Sequence, residues 1–290
     1  MIRVFGDIML DRWIQGNADR ISPEAPVPVL LEENQSYSIG GAGNLALNIQ
    51  SINGSVALHG SVGQDKEGMK VTELLKQTDL DVRLSYDHDI TTTKTRLVGQ
   101  NGQHIVRWDR EVHYKGTDTF DRLMTTANSD DIVCVSDYNK GVVTHNTVTE
   151  LISKGCKVLV DPKKPSTCYE GAFLVKPNMK EYKEWFGEFS IEKTFQKLDQ
   201  YQWKWLVVTD GPRGLHVFRR DDFIHKHFAC LTNGDVFDVT GAGDSVMAVI
   251  AHYIDKGENI FEACEKACFC ASQLVQKRGV TNLTKELFEM

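Results

Sequence analysis

Several sequence features that mark common classes of binding protein are missing from this chain. There is no G-x-x-x-x-G-K-[ST] string, which excludes a P-loop as the cradle for a phosphate group. Lysines and arginines form no block, and 33 basic against 40 acidic residues give a formal charge of -7. This balance argues against nucleic acid or an anionic membrane as a partner.

Long apolar runs and paired cysteines are missing too. No apolar stretch approaches the length of a membrane span, and the apolar run in MIRVFGDIML is too short for a signal peptide. The seven cysteines include no C-x-x-C pair, which favours small buried residues over a metal site. Reduced thiols suit a cytosol, so we expect a cytoplasmic protein.

The chain does have enough apolar residues to bury a large core. It contains 290 residues, of which 41% are hydrophobic and 25% charged, as in an ordinary α/β domain. It has no internal repeat, low-complexity run or linker that would divide it. We therefore expect a single domain over residues 1–290.

Short apolar segments alternate with helical patterns along most of the chain. Strands are predicted at residues 2–5, 56–61, 131–135, 157–160, 173–176 and 205–209. Strand, helix, strand alternation is typical of βαβ units with right-handed crossovers. It predicts a three-layer α/β/α fold with a mostly parallel central sheet.

Two segments depart from that alternation. The first, at residues 11–37, holds three prolines and ends in an extended run, and the second, at 88–112, resembles a β-hairpin around residues 99–102. We predict that together they form a small β-sheet lid. Because an exposed strand edge on a lid can pair with a second copy, a homodimer through this lid is expected.

The most informative stretch is DVTGAGDSVMAVI at residues 238–250. Gly241 and Gly243 allow a tight turn whose N–H groups approach a bound anion closely, and the helix that follows directs its positive end at the same place. Asp244 beside an anion site suggests a general base that takes a proton from a hydroxyl while the turn holds a phosphoryl group. The structural alternative is that Asp244 is a helix N-cap and the glycines form only a turn.

The string at Asp238, Gly241, Ala242, Gly243 and Asp244 resembles the signature of the ribokinase-like sugar kinases, also called the PfkB family. The resemblance implies an ATP-dependent enzyme with Asp244 as catalytic base and the amides of 241–243 as the anion hole. It also implies roles for residues elsewhere in the chain, namely Asp11, Gly41 and Asn44 at the sugar, Asn178 and Glu181 (N-x-x-E) near Mg²⁺, and Thr209, Gly211 and Gly214 (T-x-G-x-x-G) at ATP. Asp238 and Thr240 resemble positions that hold a monovalent cation such as K⁺ in some relatives.

A narrower resemblance comes from GDIMLDRW, RISPEAPVPV, GGAGNLALNI, SDYNKG and DPK. These strings are similar to the kinase domain of the bacterial ADP-heptose synthesis enzymes, which phosphorylates the anomeric hydroxyl of D-glycero-β-D-manno-heptose 7-phosphate. Cations of the lid, Arg107 among them, and Lys163 would then hold the phosphate already on the sugar. The run at residues 101–104 departs from the pattern of those kinases, and no H-x-G-H string of a fused nucleotidyltransferase occurs, so only the kinase step is expected.

Three other interpretations remain open at this point. The altered lid run permits a kinase for another sugar, sugar phosphate or nucleoside. A sugar- or nucleotide-binding protein without activity would keep the same fold. Gly41, Gly43 and Ala46 match a dinucleotide fingerprint, but the Pro-rich segment before them disfavours the strand that such a fingerprint requires.

Overall fold

A computed structural model describes residues 1–114, 118–230, 241–276 and 282–290 of the chain. Within these ranges the strands are β1 Ile2–Ile21, β2 Pro28–Gly41, β3 Val56–Gly63, β4 Asp81–His88, β5 Thr93–Gly99, β6 His104–Arg110, β7 Ile132–Ser136, β8 Lys157–Asp161, β9 Leu174–Val175, β10 Trp205–Thr209, β11 Leu215–Arg219 and β12 Ile224–Phe228. The helices of the same ranges are α1 Ala42–Asn53, α2 Lys66–Leu75, α3 Asp118–Thr126, α4 Thr147–Ser153, α5 Met179–Phe186, α6 Ile191–Gln200, α7 Ala242–Lys256, α8 Ile260–Leu274 and α9 Lys285–Glu289.

The central sheet runs in the order β12-β11-β10-β9-β8-β7-β1-β3-β4. From β10 to β4 all neighbours are parallel, whereas β11 and β12 join antiparallel at one end. The strands from β8 to β10 follow one another through helical or short connections, as βαβ units require. The sheet is therefore mostly parallel, as the alternation predicts.

Side chains of the central sheet point alternately into two apolar clusters. On β1, Val4 belongs to one cluster and Phe5 to the other. The first cluster contains residues of α1, α2, α7, α8 and α9, and the second contains residues of α3, α4, α5 and α6. The sheet lies between two layers of helices, which confirms the predicted three-layer α/β/α fold.

Strand β1 is much longer than the sequence suggests. The predicted strand ends before Gly6, but the observed strand continues from the central sheet to Ile21. At Gly6 a Cβ atom would lie 2.0 Å from the Ser136 carbonyl oxygen, so glycine is needed here for the close approach of β7. Gly6 thus serves strand packing and does not end the strand.

The second half of β1 forms the lid together with β2, β5 and β6. It pairs antiparallel with β2 and parallel with β5, and β5 pairs antiparallel with β6. These strands fall within or next to the predicted segments 11–37 and 88–112. Because the lid and the central sheet share β1, the lid extends directly from the carboxyl edge of that sheet.

A buried ion pair closes the opposite, amino edge of the sheet. Arg3 in β1 donates from Nε to Asp131 at 2.6 Å and from Nη2 to the Thr126 carbonyl at 2.7 Å. Arg3 is 4% exposed, and so is Asp131. Burial raises the pKa of Asp131, but the Asn128 amide and the Arg3 guanidinium outweigh it, and the pKa lies below its ordinary value.

We predict that Arg3→Met lowers the free energy of unfolding by about 3–5 kcal/mol, because the buried Asp131 carboxylate loses its guanidinium partner. Urea unfolding followed by circular dichroism measures the change. Since the folded pKa of Asp131 is depressed, the stability it contributes is present above the ordinary carboxylate pKa and is lost as the pH falls through the folded value. The difference between variant and wild type should therefore shrink in acid.

The matched control is the exposed ion pair between Lys285 and Glu289, whose side chains are 70% and 62% exposed. Glu289→Gln is expected to change the free energy of unfolding by less than about 0.5 kcal/mol. Equal stability of Arg3→Met and wild type at neutral pH would contradict the role given to the buried pair.

Candidate active site

The candidate site lies at the carboxyl edge of the central sheet, where α7 begins. The helix expected after the glycine turn begins earlier, within the turn itself, and runs over Ala242–Lys256. Gly241 precedes it with φ of 82° in the left-handed region. Glycine adopts that region at little cost. The earlier start places Gly243 and Asp244 in the first helical turn, where backbone N–H groups have no helical partner.

Asp244 is buried, with 4% of its surface exposed. The Asn44 side-chain amide donates to its Oδ2, and the Tyr138 hydroxyl lies 3.4 Å from its Oδ1. Burial, and secondarily the charge of Asp161, raise the pKa of Asp244 to about 7, against the lowering effects of Asn44, Lys176 and Tyr138. The carboxyl group can therefore gain or lose a proton near neutral pH.

An ion pair between a buried lysine and a partly buried aspartate lies next to the first turn of α7. Lys176 Nζ is 3.0 Å from Asp161 Oδ2. A Cβ atom on Gly243 would lie 3.4 Å from Lys176 Nζ, so the first turn of α7 lies in van der Waals range of this pair. Neither Lys176 nor Asp161 is among the predicted site residues. Their sequence signal is weak, because each is one charged residue at or just after the end of an apolar strand.

A cavity of about 620 Å³ opens in front of this turn. Its walls come from stretches that are far apart in sequence, and they include ten of the predicted site residues, namely Lys163, Asn178, Glu181, Thr209, Gly211, Gly214, Gly241, Ala242, Gly243 and Asp244. The motifs predicted for nucleotide and anion thus lie around one cavity. Its apolar end is formed by Leu215, Cys230, Val246, Cys268, Ala271 and Val275.

The N-x-x-E pair lines this cavity as a helix capping box. Asn178 Oδ1 accepts from the Glu181 backbone N–H at 2.9 Å, and the Asn178 backbone N–H donates to Glu181 Oε2 at 3.0 Å. The Lys163 ammonium donates to Glu181 Oε1 at 2.8 Å. The structure therefore groups Lys163 with the residues predicted for the nucleotide, whereas the sequence analysis assigned it to the sugar phosphate.

Gly211 and Gly214 shape the turn between β10 and β11. Both have positive φ, 54° and 93° respectively. At Gly214 a Cβ atom would lie 1.9 Å from the Phe228 carbonyl oxygen, which no side chain could accommodate without moving β12. The turn follows directly after Thr209, the last residue of β10.

Two glycines of the Gly-rich segment make room for atoms of β1, one for a carboxylate and the other for a backbone carbonyl. A Cβ atom on Gly40 would lie 2.3 Å from Asp11 Oδ2, and one on Gly41 would lie 2.2 Å from the Asp7 carbonyl oxygen. Gly41 has φ of 62°. These contacts bring β2 close against β1, and the helix carrying Asn44 starts immediately afterwards.

Asp11 is 4% exposed and forms an ion pair with Arg96, which lies with its guanidinium 4.9 Å from the centre of the Trp13 ring. Lys94 Nζ lies 5.3 Å from the centre of the Tyr138 ring. Burial lowers the pKa of Lys94, although Asp11 and another carboxylate oppose this. The lid thus carries a buried cation, Arg96, at Asp11 and a partly buried one, Lys94, at Tyr138.

Arg107 lies further out on β6. Its side chain is 57% exposed and pairs with Asp109 at 2.9 Å. In the hairpin register it is opposite Arg96, so the two side chains share one face of the lid. The predicted cation positions Asp238 and Thr240 lie outside the described residues.

Asp7, a buried carboxylate at this edge, holds the loop that carries Tyr138. It accepts backbone hydrogen bonds from Tyr138 at 2.8 Å, Lys140 at 3.0 Å and Val142 at 3.1 Å. Burial raises the pKa of Asp7 while these amides oppose the rise. The hydroxyl beside Asp244 is therefore positioned from β1.

The possible dinucleotide fingerprint that begins at Gly41 does not lie in the strand and helix arrangement that such a fingerprint requires. A strand does lead directly into α1, contrary to the sequence analysis, but this strand is β2, which pairs antiparallel with β1 in the lid. The fingerprint requires a parallel βαβ unit. Gly43 makes room for the Ile39 side chain instead, since a Cβ atom there would lie 2.2 Å from it.

Among the described helices, none is both long and apolar enough to cross a membrane. Over the same part of the chain, no group of three or more His, Cys, Asp and Glu side chains is arranged to hold a metal ion by protein ligands alone.

Solved structures with this fold include Escherichia coli phosphofructokinase-2 in complex with potassium, with a TM-score of 0.83, 19% identity and coverage of 100% of this chain and 96% of that one. A ribokinase from Thermotoga maritima has a TM-score of 0.79 at 21% identity and covers 100% and 98% of the two chains. These similarities confirm the ribokinase-like fold.

Sequence relatives include the bifunctional protein HldE of Coxiella burnetii, 36% identical over 299 residues, and that of Nitratiruptor sp., 34% identical over 305 residues. The alignments cover 98% and 99% of this chain but only 62% and 64% of the relatives. This chain thus spans less than two thirds of their length. The family model described as pfkB family carbohydrate kinase matches residues 1–287. The chain therefore belongs to the pfkB family of carbohydrate kinases.

Proposed function

We propose that this protein transfers the γ-phosphoryl group of ATP to the anomeric hydroxyl of D-glycero-β-D-manno-heptose 7-phosphate and so forms the 1,7-bisphosphate. The observation that carries a kinase function is the buried Asp244, with a pKa of about 7, in the first turn of α7 at the cavity. The choice of sugar is supported by identity to HldE, whose kinase domain phosphorylates heptose 7-phosphate. We further propose that residues 1–290 act as one kinase domain.

Asp244 acts as the general base. It takes the proton of the sugar hydroxyl as the oxygen forms its bond to the γ-phosphorus and the bond to ADP breaks. Asn44 and Tyr138 each hydrogen-bond one carboxylate oxygen, which fixes the plane of the group before substrate arrives. A carboxyl pKa near the operating pH suits a group that must accept a proton and later release it.

The first turn of α7 binds the group being transferred. The amides of residues 241–243 and the positive end of the helix provide an anion hole. Lys176, beside Gly243, adds a fixed positive charge behind the turn. Lys163 is reassigned here to the nucleotide phosphates, because it shares the cavity wall with Thr209 and Glu181.

Members of this family use ATP with a divalent metal ion. The oxygen donors at the cavity fit Mg²⁺, because Asp161 and Glu181 present carboxylates there and Asn178 an amide oxygen. Glu181 retains acceptor capacity beyond its two hydrogen bonds, so it can contact the ion through water. When bound, Mg²⁺ would neutralise charge on the phosphates. Asp238 and Thr240 stay our proposed ligands for K⁺.

The sugar lies between the lid and Asp244. Asp11 and Asn44 bind its hydroxyls, and Gly41 allows close approach to the backbone. We propose that its existing phosphate is held by Arg107 together with Lys94 and Arg96, because pairing across β1, β5 and β6 places these cations on the face of the lid that carries Asp11.

A homodimer through the lid is part of the proposal. Val106 and Trp108, on the other face of β6, are 48% and 64% exposed, and large exposed apolar side chains at a sheet edge favour pairing with a second copy. Sedimentation of the protein at the mass of a single chain at micromolar concentration would contradict this part.

The substrate is tested by ADP release from Mg²⁺-ATP over a panel of free sugars, sugar phosphates and nucleosides. We expect turnover with D-glycero-β-D-manno-heptose 7-phosphate and little with the others, because the lid cations require a phosphate. Turnover on another panel member alone would mean that the lid residues bind that substrate and not heptose 7-phosphate. Absence of turnover with every member would favour a binding protein instead.

For the base, we predict that Asp244→Asn lowers kcat by at least about a hundredfold while sugar binding is retained, because the amide cannot accept the proton. The matched control is Glu258→Gln, an exposed carboxylate beyond the end of α7, which should keep wild-type turnover. Activity of Asp244→Asn near that of the control would remove the base assignment.

Stability distinguishes loss of the base from loss of the fold. The folded pKa of Asp244 is raised from 3.8 to about 7, so ionisation costs stability as the pH rises through this range. Asp244→Asn should therefore unfold at a higher temperature than wild type at neutral pH. A lower unfolding temperature would mean that the kinetic result cannot be assigned to the missing base.

The pH dependence follows from the same group. We predict that kcat/KM rises with pH and levels off above about pH 7, as Asp244 loses its proton in the free enzyme. Asp161→Asn should move this limb to lower pH, because a negative charge is removed and Lys176 stays. Tyr138→Phe should move it to higher pH, because a hydrogen-bond donor to the carboxylate is lost. If the rise of kcat/KM does not shift in opposite directions in these two variants, the rise cannot be assigned to Asp244.

A further inference from the structure

Two thiols meet at the apolar end of the cavity. Cys230 follows β12, Cys268 lies in α8, and both line the cavity wall. Cys268 Sγ lies 3.7 Å from the carbonyl oxygen of Phe228, two residues before Cys230, and the two thiols are near enough for Cys230 to raise the pKa of Cys268. No part of the proposed phosphoryl transfer uses either thiol.

The fold holds this pair in place from both sides. Helix α8 packs against β11 and β12, and the Cys268 thiol donates to the Phe228 carbonyl at 3.7 Å. On the other side, the missing Cβ of Gly214 lets the turn lie against Phe228 and the Cys230 amide, which a Cβ atom would approach to 2.8 Å. Cys264, one turn before Cys268, is fully buried and belongs to the core.

The two thiols differ in environment. Cys268 is 6% exposed, whereas Cys230 is only partly buried. Burial, and secondarily Cys230, raise the pKa of Cys268 to about 12. Cys268 therefore keeps its proton at neutral pH, and the more accessible Cys230 is the thiol that a reagent in the cavity meets first.

We propose that Cys230 and Cys268 form a reversible disulfide that narrows the apolar end of the cavity and excludes the nucleotide. The oxidant is a small-molecule disulfide. The Cys230 thiolate attacks it, forms a mixed disulfide and expels one thiolate. Cys268 then gives up its proton, attacks the Cys230 sulfur and expels the second thiolate. The two protein thiols are oxidised, and one disulfide is reduced to two thiols.

Geometry explains the effect on the nucleotide. A disulfide requires the two sulfur atoms to come to about 2 Å of each other, so its formation draws α8 and the segment after β12 together. Ala271 and Val275, which follow Cys268 along the cavity wall, move with that part of the chain. Conversely, a ligand filling this end covers both thiols. The inference rests on the proposed function only in that it takes ATP as the occupant of this cavity.

The pairing is tested on the full chain without any activity measurement. Incubation with oxidised glutathione, followed by intact mass and peptide mapping, should give a protein lighter by two hydrogens, with Cys230 linked to Cys268. Prior addition of ADP should slow the reaction, and dithiothreitol should reverse it. A stable glutathione adduct on Cys230, or linkage of any other pair, would overturn the proposal.

The consequence is tested by titrating a fluorescent trinitrophenyl-ADP into reduced and oxidised protein. We expect oxidation to raise the dissociation constant by at least about tenfold, and dithiothreitol to return it to the value of the reduced protein. In Cys268→Ala and in Cys230→Ser the same treatment should leave the constant unchanged. Cys168→Ser, which removes a partly exposed thiol outside this cavity, should respond like wild type.

The outcomes separate this inference from the proposed function. A mapped disulfide with unchanged nucleotide affinity overturns the regulatory part. If the reduced protein binds no nucleotide, the kinase assignment fails, and mapping still decides whether the thiols pair.

Discussion

Burial of negative charge at one edge of the sheet is the constraint on which the candidate site depends. Asp244 is buried there beside the partly buried Asp161, and such carboxylates persist only with hydrogen-bond donors or cations nearby. Lys176 partly neutralises Asp161, and Asn44 and Tyr138 donate to Asp244. For Asp244 these donors do not fully offset the effect of burial on the carboxylate. Its pKa therefore stays near neutral pH, as suits a group that accepts a proton from a hydroxyl.

The long strand β1 connects this edge to the lid. Asp7 on this strand holds the loop that carries Tyr138, and Asp11, four residues later, pairs with Arg96 of the lid. One continuous strand thus carries both the carboxylate that holds the loop beside Asp244 and the carboxylate that pairs with the lid. The glycines at 40 and 41 serve the same arrangement, since any side chain there would push β2 away from β1.

The cavity combines two surfaces of different chemistry. Its polar part is formed by helix starts and strand ends, including the capping box of Asn178 and Glu181. Its apolar part is formed by α8 and the strands beside it, where Cys230 and Cys268 meet. The polar part suits charged groups such as phosphates, and the apolar part suits a flat apolar group. A change at the apolar end therefore acts on ligand binding at a place that does not contact Asp244.

The sequence by itself determined the fold class, the lid segments and the glycine turn before α7, because glycine-rich turns and apolar periodicity are local properties of the chain. The N-x-x-E pair is locally only a helix start, and its place at the cavity was implied by the resemblance to the kinase family. Only the tertiary structure decided that Gly6 continues β1, that Lys163 faces Glu181, and that Lys176, Asp161 and Tyr138 surround the first turn of α7. These residues come from separate strands and loops, and their pairing follows from burial and charge after folding, which no local spacing encodes.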